Sequence, residues 1–352
     1  MIRQPENRSV RKHAIRFRPV LAALALGAMG LFAATEASAQ KITVVASGGI
    51  WLESAKQNFA SCYKERTGTE PDILVLNSGE VLNRIRANKE NPSIHVAMLS
   101  EIDAIRAGRE GLLDKLDPKK APNLNDVPEL FRKQWDDYAT ISNFGAMIVM
   151  YNKDKIKEPP KDWKTLIDNT IAGKYGNRVS FPAVTMAWGP QFTWFLSTLY
   201  NGSEDEVFAK YKAMVPNIAK YWVNPVDAVN MFATKEVDIL VYWDGRAYDF
   251  AKQNAWAGAY IPDPGAFQSA AMLAKVKNSP EASWQYIDCV LSPKAQLGHA
   301  SMIKYPVVNS KVVYPPELKA VLTPVEKVRQ PEFLKFMDKI PAWIERWNKE
   351  IQ

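Results

Sequence analysis

The sequence predicts an α/β fold of about two domains, on three observations. Short apolar runs alternate with amphipathic stretches along most of the chain, the pattern of strand–helix units built around a parallel sheet. The length, 352 residues, exceeds what one small core organises. Apolar content of 47% is ordinary for a globular protein, and no second apolar run of membrane-spanning length follows the N-terminal one.

The elements follow in order. Ile42–Ala46 reads as a strand, Ser47-Gly48-Gly49 as a turn, and Leu52–Thr67 as a helix stopped by Gly68. Pro71–Leu76 is a second strand, Asn77-Ser78-Gly79 a loop, and Glu80–Asn88 a helix. His95–Leu99 is a third strand, and Ser100 caps the helix Glu101–Glu110. Residues 114–140, rich in Pro, Asp and Lys, read as surface. Gly145–Tyr151 is a long apolar strand. The alternation then restarts. Helices are expected at Trp163–Ile167, Gln191–Tyr200, Glu204–Met214 and Pro225–Thr234, and strands at Val179–Phe181 and Val237–Trp243. Asp244-Gly245 reads as a polar turn, Tyr260–Pro264 as a break, and Ser269–Ala274 as a strand. Helices at Ala282–Leu291, Lys294–Ala300 and Glu332–Glu350 close the chain.

Residues 1–39 read as a secretory signal peptide. Six basic residues precede or open the apolar run Val20–Ala34, and Ala37-Ser38-Ala39 is a small-x-small cleavage site. A mature chain beginning at Gln40 and released into an oxidising compartment is expected. The net charge of +7 belongs largely to that leader, so it is no argument for nucleic-acid or membrane binding. Cys62 and Cys289 form either a disulfide or two buried thiols, and their spacing does not decide between these.

Several segments together resemble a known family. Val45–Trp51 gives a strand, a glycine turn and an aromatic; Val96–Ser100 runs through Gly111-Leu-Leu-Asp-Lys-Leu-Asp117. Gly145–Asn152 is followed by Asp162–Leu166 and Lys174-Tyr175-Gly176. Lys235–Ile239 leads to Trp243-Asp-Gly245, and Asn278–Ala282 to Leu291–Gln296. In this order they resemble the extracellular solute-binding proteins of ABC importers, nearest the spermidine/putrescine-binding branch. The resemblance implies a two-lobed periplasmic-binding-protein-like (class II) fold with a ligand cleft between the lobes. The expected divisions are a signal peptide at 1–39, lobe one at 40–145, lobe two at 146–263, and a return to lobe one with C-terminal helices at 264–352. It further implies a monomeric periplasmic protein that takes a small molecule by hinge closure and serves a permease and an ATPase in the inner membrane, with no cofactor.

Ligands of open α/β sheets sit beyond the carboxyl ends of strands. The residues there are Trp51; Ser78 and Glu80; Ser100 and Glu101; Thr185 and Trp188; Trp243, Asp244 and Arg246; and Gln268 at the return crossing. Aromatic walls with a few polar anchors suit a small organic ligand. The tryptophans can hold an amine by cation–π contact, Asp244 can pair with an ammonium, and Arg246 can pair bidentately with a carboxylate. Each also has a plainer reading: packing for the tryptophans, a helix cap for Asp244, a surface ion pair for Arg246, a first-turn carboxylate for Glu80. The sequence departs from the polyamine pattern, which places cleft carboxylates near Thr185–Trp188 and at Gln268. No acid stands at either place, so a zwitterion or carboxylate fits at least as well.

Two other classes were weighed. An enzyme is disfavoured by the absence of a nucleophile elbow, a phosphate loop, G-x-G-x-x-G or H-E-x-x-H. A ferric-ion or other metal binder would use tyrosines such as Tyr242 and Tyr248, but no clear ligand spacing emerges. A ligand sensor without a transport role would look the same in sequence.

Overall fold

A computed structural model describes residues 41–351. The expected signal peptide lies outside the described residues.

The first strands and helices alternate as the sequence predicts. Strand β1 (Thr43–Ala46) leads to helix α1 (Ile50–Ser54), which passes through a π-helical turn, Ala55–Ala60, into α2 (Ser61–Thr67). Then come β2 (Asp72–Val75), α3 (Ser78–Ala87), β3 (Val96–Leu99) and α4 (Glu101–Arg109). Capping explains the helix starts. Asn77 accepts from the Glu80 N–H while the Glu80 carboxylate accepts from the Asn77 N–H, and Ser100 accepts from the Asp103 N–H.

Residues 114–140 correct the surface reading. They include three short 3-10 turns whose Leu124, Phe131 and Trp135 are buried, and Leu116 ahead of them is buried too. Their polar composition hid a few large apolar residues at irregular spacing, which no helix or strand period picks out.

The long strand β4 (Thr140–Asn152) is buried almost throughout, because it crosses from one core to the other. Its first half pairs antiparallel with β9, and from Met147 it pairs antiparallel with β7. Beyond it lie α5 (Trp163–Ile171), β5 (Val179–Pro182), α6 (Gly189–Leu199), α7 (Glu204–Met214), β6 (Lys220–Trp222), α8 (Pro225–Ala233), β7 (Ile239–Trp243), α9 (Asp244–Gln253) and β8 (Ala257–Tyr260). Two short strands, β6 and β8, were not expected. Asp244-Gly245 opens α9 rather than making a turn, and both residues are buried.

The chain returns in β9 (Ala266–Lys275), then runs through α10 (Ser283–Val290), α11 (Pro293–Ile303) and α12 (Pro316–Lys319). Last come β10 (Val328–Arg329), α13 (Phe333–Phe336) and α14 (Ile340–Glu350). The sheet order is β2-β1-β3-β9-β4-β7-β5-β6, with β8 on β4 and β10 on β9. Parallel pairs β1–β2, β1–β3, β5–β6 and β5–β7 flank the two antiparallel crossing strands. This is a two-lobed α/β fold, with a parallel sheet in each lobe and β4 and β9 passing between them. A disulfide joins Cys62 of α2 to Cys289 of α10, resolving the alternative the spacing left open.

The C-terminal helix α14 packs on α7 and β6. Trp343 Nε1 donates to Glu204 at 2.8 Å, Arg346 pairs with Asp205 at 2.5 Å, and Trp347 meets Tyr211 and Tyr221 edge-on. All four partners belong to α7 and β6. The amphipathic period of the last helix foretold a buried face but not its partner.

Candidate functional site

Helices that follow parallel strands begin at the strands' carboxyl ends, so their N-termini collect along one edge of each sheet. Six such starts, those of α1, α3, α4, α6, α8 and α9, contribute lining residues to two connected chambers. The shared walls are Ser47, Trp188, Ala270 and Ala271.

The inner chamber, about 330 Å³, is bounded by Trp51, Trp188, Trp243 and Tyr305. Trp188 stands edge-on to Trp243 at 5.5 Å, and Trp51 lies against Tyr305 at 5.5 Å. Between these rings stand Ser47, Asn143, Ser269 and Arg246. Arg246 is the one charged side chain in this lining, and it makes no ion pair among the described residues. Its one side-chain hydrogen bond among the described residues is to Tyr242 Oη, at 3.5 Å. The Tyr242 hydroxyl is committed elsewhere, donating to the Pro225 carbonyl at 2.8 Å.

Tyr305 fits only because two glycines face it. A Cβ on Gly145 would come within 2.4 Å of the Tyr305 ring, and one on Gly245 within 2.9 Å. The ring is delivered by the segment after α11, which runs beside β4: Phe144 N–H donates to the Pro306 carbonyl, and Asn143 bridges to Val307. Asn143 reaches the chamber at a register shift in β4, between Ile141 and Asn143.

The outer chamber, about 640 Å³, is lined by Ser78, Ser100, Asp103, Arg106, Thr185 and Met186 among others, and Ile340 and Ile344 of α14 close one side. Its acid is already occupied. Asp103 accepts from Ser78 at 2.6 Å, from Ser100 at 3.0 Å and from Arg106 at 3.1 Å.

The expected site residues therefore divide. Trp51, Trp188, Trp243 and Arg246 meet in the inner chamber, and Ser78, Ser100, Thr185 and Trp188 line the outer one. Glu80, Glu101, Asp244 and Gln268 line neither. Glu80 is exposed and completes the cap of α3. Gln268 is buried in the β4–β9 ladder opposite Ala146. Asp244 is buried at the start of α9. Burial pushes its carboxyl up to about 6, against the pull of the Ala146 and Gly245 N–H groups. Glu101 is fully buried at the junction of the lobes. Ser47, Asn143, Ser269 and Tyr305 were missed. Ser47 was legible as the residue straight after β1; the other three come from strand middles and a late crossover, where no local signal exists.

Among the described residues no three His, Cys, Asp or Glu side chains converge as a metal-ligating group. His299, beneath Trp51, bonds Ser54 Oγ through Nδ1 at 2.7 Å, and burial pushes its pKa down to about 3.

Comparison with known proteins agrees with this architecture. A γ-aminobutyric acid-binding protein of Pseudomonas aeruginosa is 22% identical over 312 residues, 84% of each chain. A structure from Bordetella parapertussis, described as an extracellular solute-binding protein, superposes with a TM-score of 0.81 at 25% identity, covering 89% of this chain and 99% of that one. A GABA receptor structure superposes with a TM-score of 0.72 at 19% identity, covering 89% and 98%. Residues 59–323 match the profile of bacterial extracellular solute-binding proteins. The chain belongs to that family.

Proposed function

We propose that this chain is the periplasmic substrate-binding component of an ABC importer and that its cargo is a small organic carboxylate, with a short ω-amino acid such as γ-aminobutyric acid the best fit. The observation that carries this reading is Arg246: a guanidinium lining the inner chamber with no counter-ion among the described residues, set among aromatic walls and neutral polar groups. A carboxylate satisfies that cation bidentately. The far end of the solute, if an ammonium, meets the faces of Trp51, Trp188 and Trp243. The names of two similar proteins, a γ-aminobutyric acid-binding protein and a GABA receptor, point to the same class.

A polyamine fits less well. It needs free carboxylates, and the inner lining holds none, while Asp103 in the outer chamber is saturated by its neighbours. No catalytic role is assigned to any residue. Lobe one, residues 40–145 with 264–352, and lobe two, residues 146–263, close over the solute by a hinge about β4 and β9.

Native mass spectrometry of the secreted protein, before and after gentle unfolding, tests this reading. A released organic ion carrying a carboxylate is expected. A released polyamine or a metal adduct would overturn it.

A further inference from the structure

Glu101 lies between the lobes yet touches neither chamber. It is the first residue of α4. Its two carboxyl oxygens serve donors from different parts of the molecule: Oε1 accepts from the Ala270 N–H of β9 at 2.6 Å, and Oε2 accepts from Trp188 Nε1, at the start of α6 in the other lobe, at 3.2 Å. Its backbone carbonyl accepts from Trp135 Nε1 at 3.0 Å. One residue thus ties lobe one to a crossing strand and to the opposite lobe. The ring it holds is the wall common to both chambers, set edge-on against Trp243.

We propose that Glu101 is a positioning residue: through the Trp188 indole it fixes the partition between the two chambers and couples that ring's orientation to the approach of the lobes, whichever solute is bound. The chemistry favours this over a role in mere packing. A buried carboxyl is costly unless its oxygens are bonded, and both are, by groups that meet only while α6 and β9 lie against α4. Among the described residues nothing facing it carries charge. Trp188 at the start of α6, Gln191 of α6, Ala270 of β9 and Trp135 are neutral, and Asp103 on its own helix is bound up with Ser78, Ser100 and Arg106. Burial pushes the Glu101 carboxyl up to about 8, with its own backbone N–H, the Ala270 N–H, and the Trp188 and Gln191 side chains pulling the other way. When the lobes part and water reaches it, the carboxyl returns toward an ordinary value. Approach of the lobes therefore takes up a proton between those two pH values, and the Trp188 N–H reports it.

The test needs no ligand, so it stands apart from the identity of the cargo. The secreted protein, labelled with 15N at the indoles, is followed by two-dimensional NMR from pH 5 to pH 9. The Trp188 indole N–H is assigned by its loss in Trp188→Phe. Its resonance is expected to move with pH about a midpoint near 8. In Glu101→Gln, where one oxygen cannot serve two donors, it is expected to be displaced and independent of pH. A wild-type resonance that does not move with pH, or one that moves identically in Glu101→Gln, overturns the proposal. That titration decides the matter even if Glu101→Gln fails to fold.

Discussion

Replacing Arg246 with alanine is the sharpest perturbation of the site. The guanidinium has no ion-pair partner among the described residues, so its removal strands no buried charge, and the cost falls on ligand binding alone. Truncating one side of a hydrogen-bonded charge pair costs 2–5 kcal/mol or more when buried. Arg246 is exposed, so the low end, about 2 kcal/mol, applies, or a roughly 30-fold rise in Kd. Arg246→Lys keeps the charge but loses the planar fork, and a rise of roughly tenfold is expected. Isothermal titration with γ-aminobutyric acid measures all three proteins, and butylamine, which lacks the carboxylate, serves as the control. If Arg246→Ala bound γ-aminobutyric acid within twofold of wild type, the carboxylate assignment would be refuted.

Three further outcomes are expected. Cys62→Ser with Cys289→Ser removes a cross-link spanning 227 positions and should lower stability in urea by about 2–5 kcal/mol. Solute affinity should hold, because both residues lie outside the chamber linings. Gly145→Ala drives a methyl to 2.4 Å from Tyr305, and overpacking of this kind costs about 1–3 kcal/mol; thermal unfolding and a weakened Kd should report it together. His299 has its pKa depressed to about 3 by burial, so the stability it contributes as a neutral ring is full above pH 6.5 and lost as pH falls from there toward 3. The loss is about 1.4 kcal/mol per pH unit. His299→Gln should remove that component of the acid slope in urea unfolding measured between pH 4 and 7, and an unchanged slope would contradict the assignment.

Much of this architecture is legible in the chain itself, because strand–helix alternation is a local property. Ile42–Ala46, Val179–Phe181 and Val237–Trp243 anticipate β1, β5 and β7, and Glu204–Met214 matches α7 to the residue. Residues that follow strands were also legible: Trp51, Trp188, Trp243 and Arg246 meet in one chamber because the carboxyl ends of β1, β5 and β7 all face it. What failed to show is tertiary. Tyr305 enters from a late crossover, and Asn143 from a register shift inside β4. Glu101 and Asp244 occupy the expected strand-end positions, yet their carboxyls turn inward to backbone N–H groups instead of facing solute. Sequence position says that such an acid lies near the cleft, not which way it faces. Cys62 and Cys289 are likewise silent until α2 and α10 are seen side by side. The partner of α14 was equally hidden, since an amphipathic stripe carries no address.

A cleft built around Arg246 should select a carboxylate over a second ammonium. γ-Aminobutyric acid and putrescine have chains of the same length, and putrescine carries an ammonium where the amino acid carries its carboxylate. Calorimetric titration of the wild-type protein with each, in one buffer, is the most direct test. Saturable one-to-one binding of γ-aminobutyric acid is expected, with putrescine weaker by roughly 100-fold or more, since its second ammonium would face Arg246 without a counter-ion. Putrescine binding as tightly as γ-aminobutyric acid, or more tightly, would contradict it.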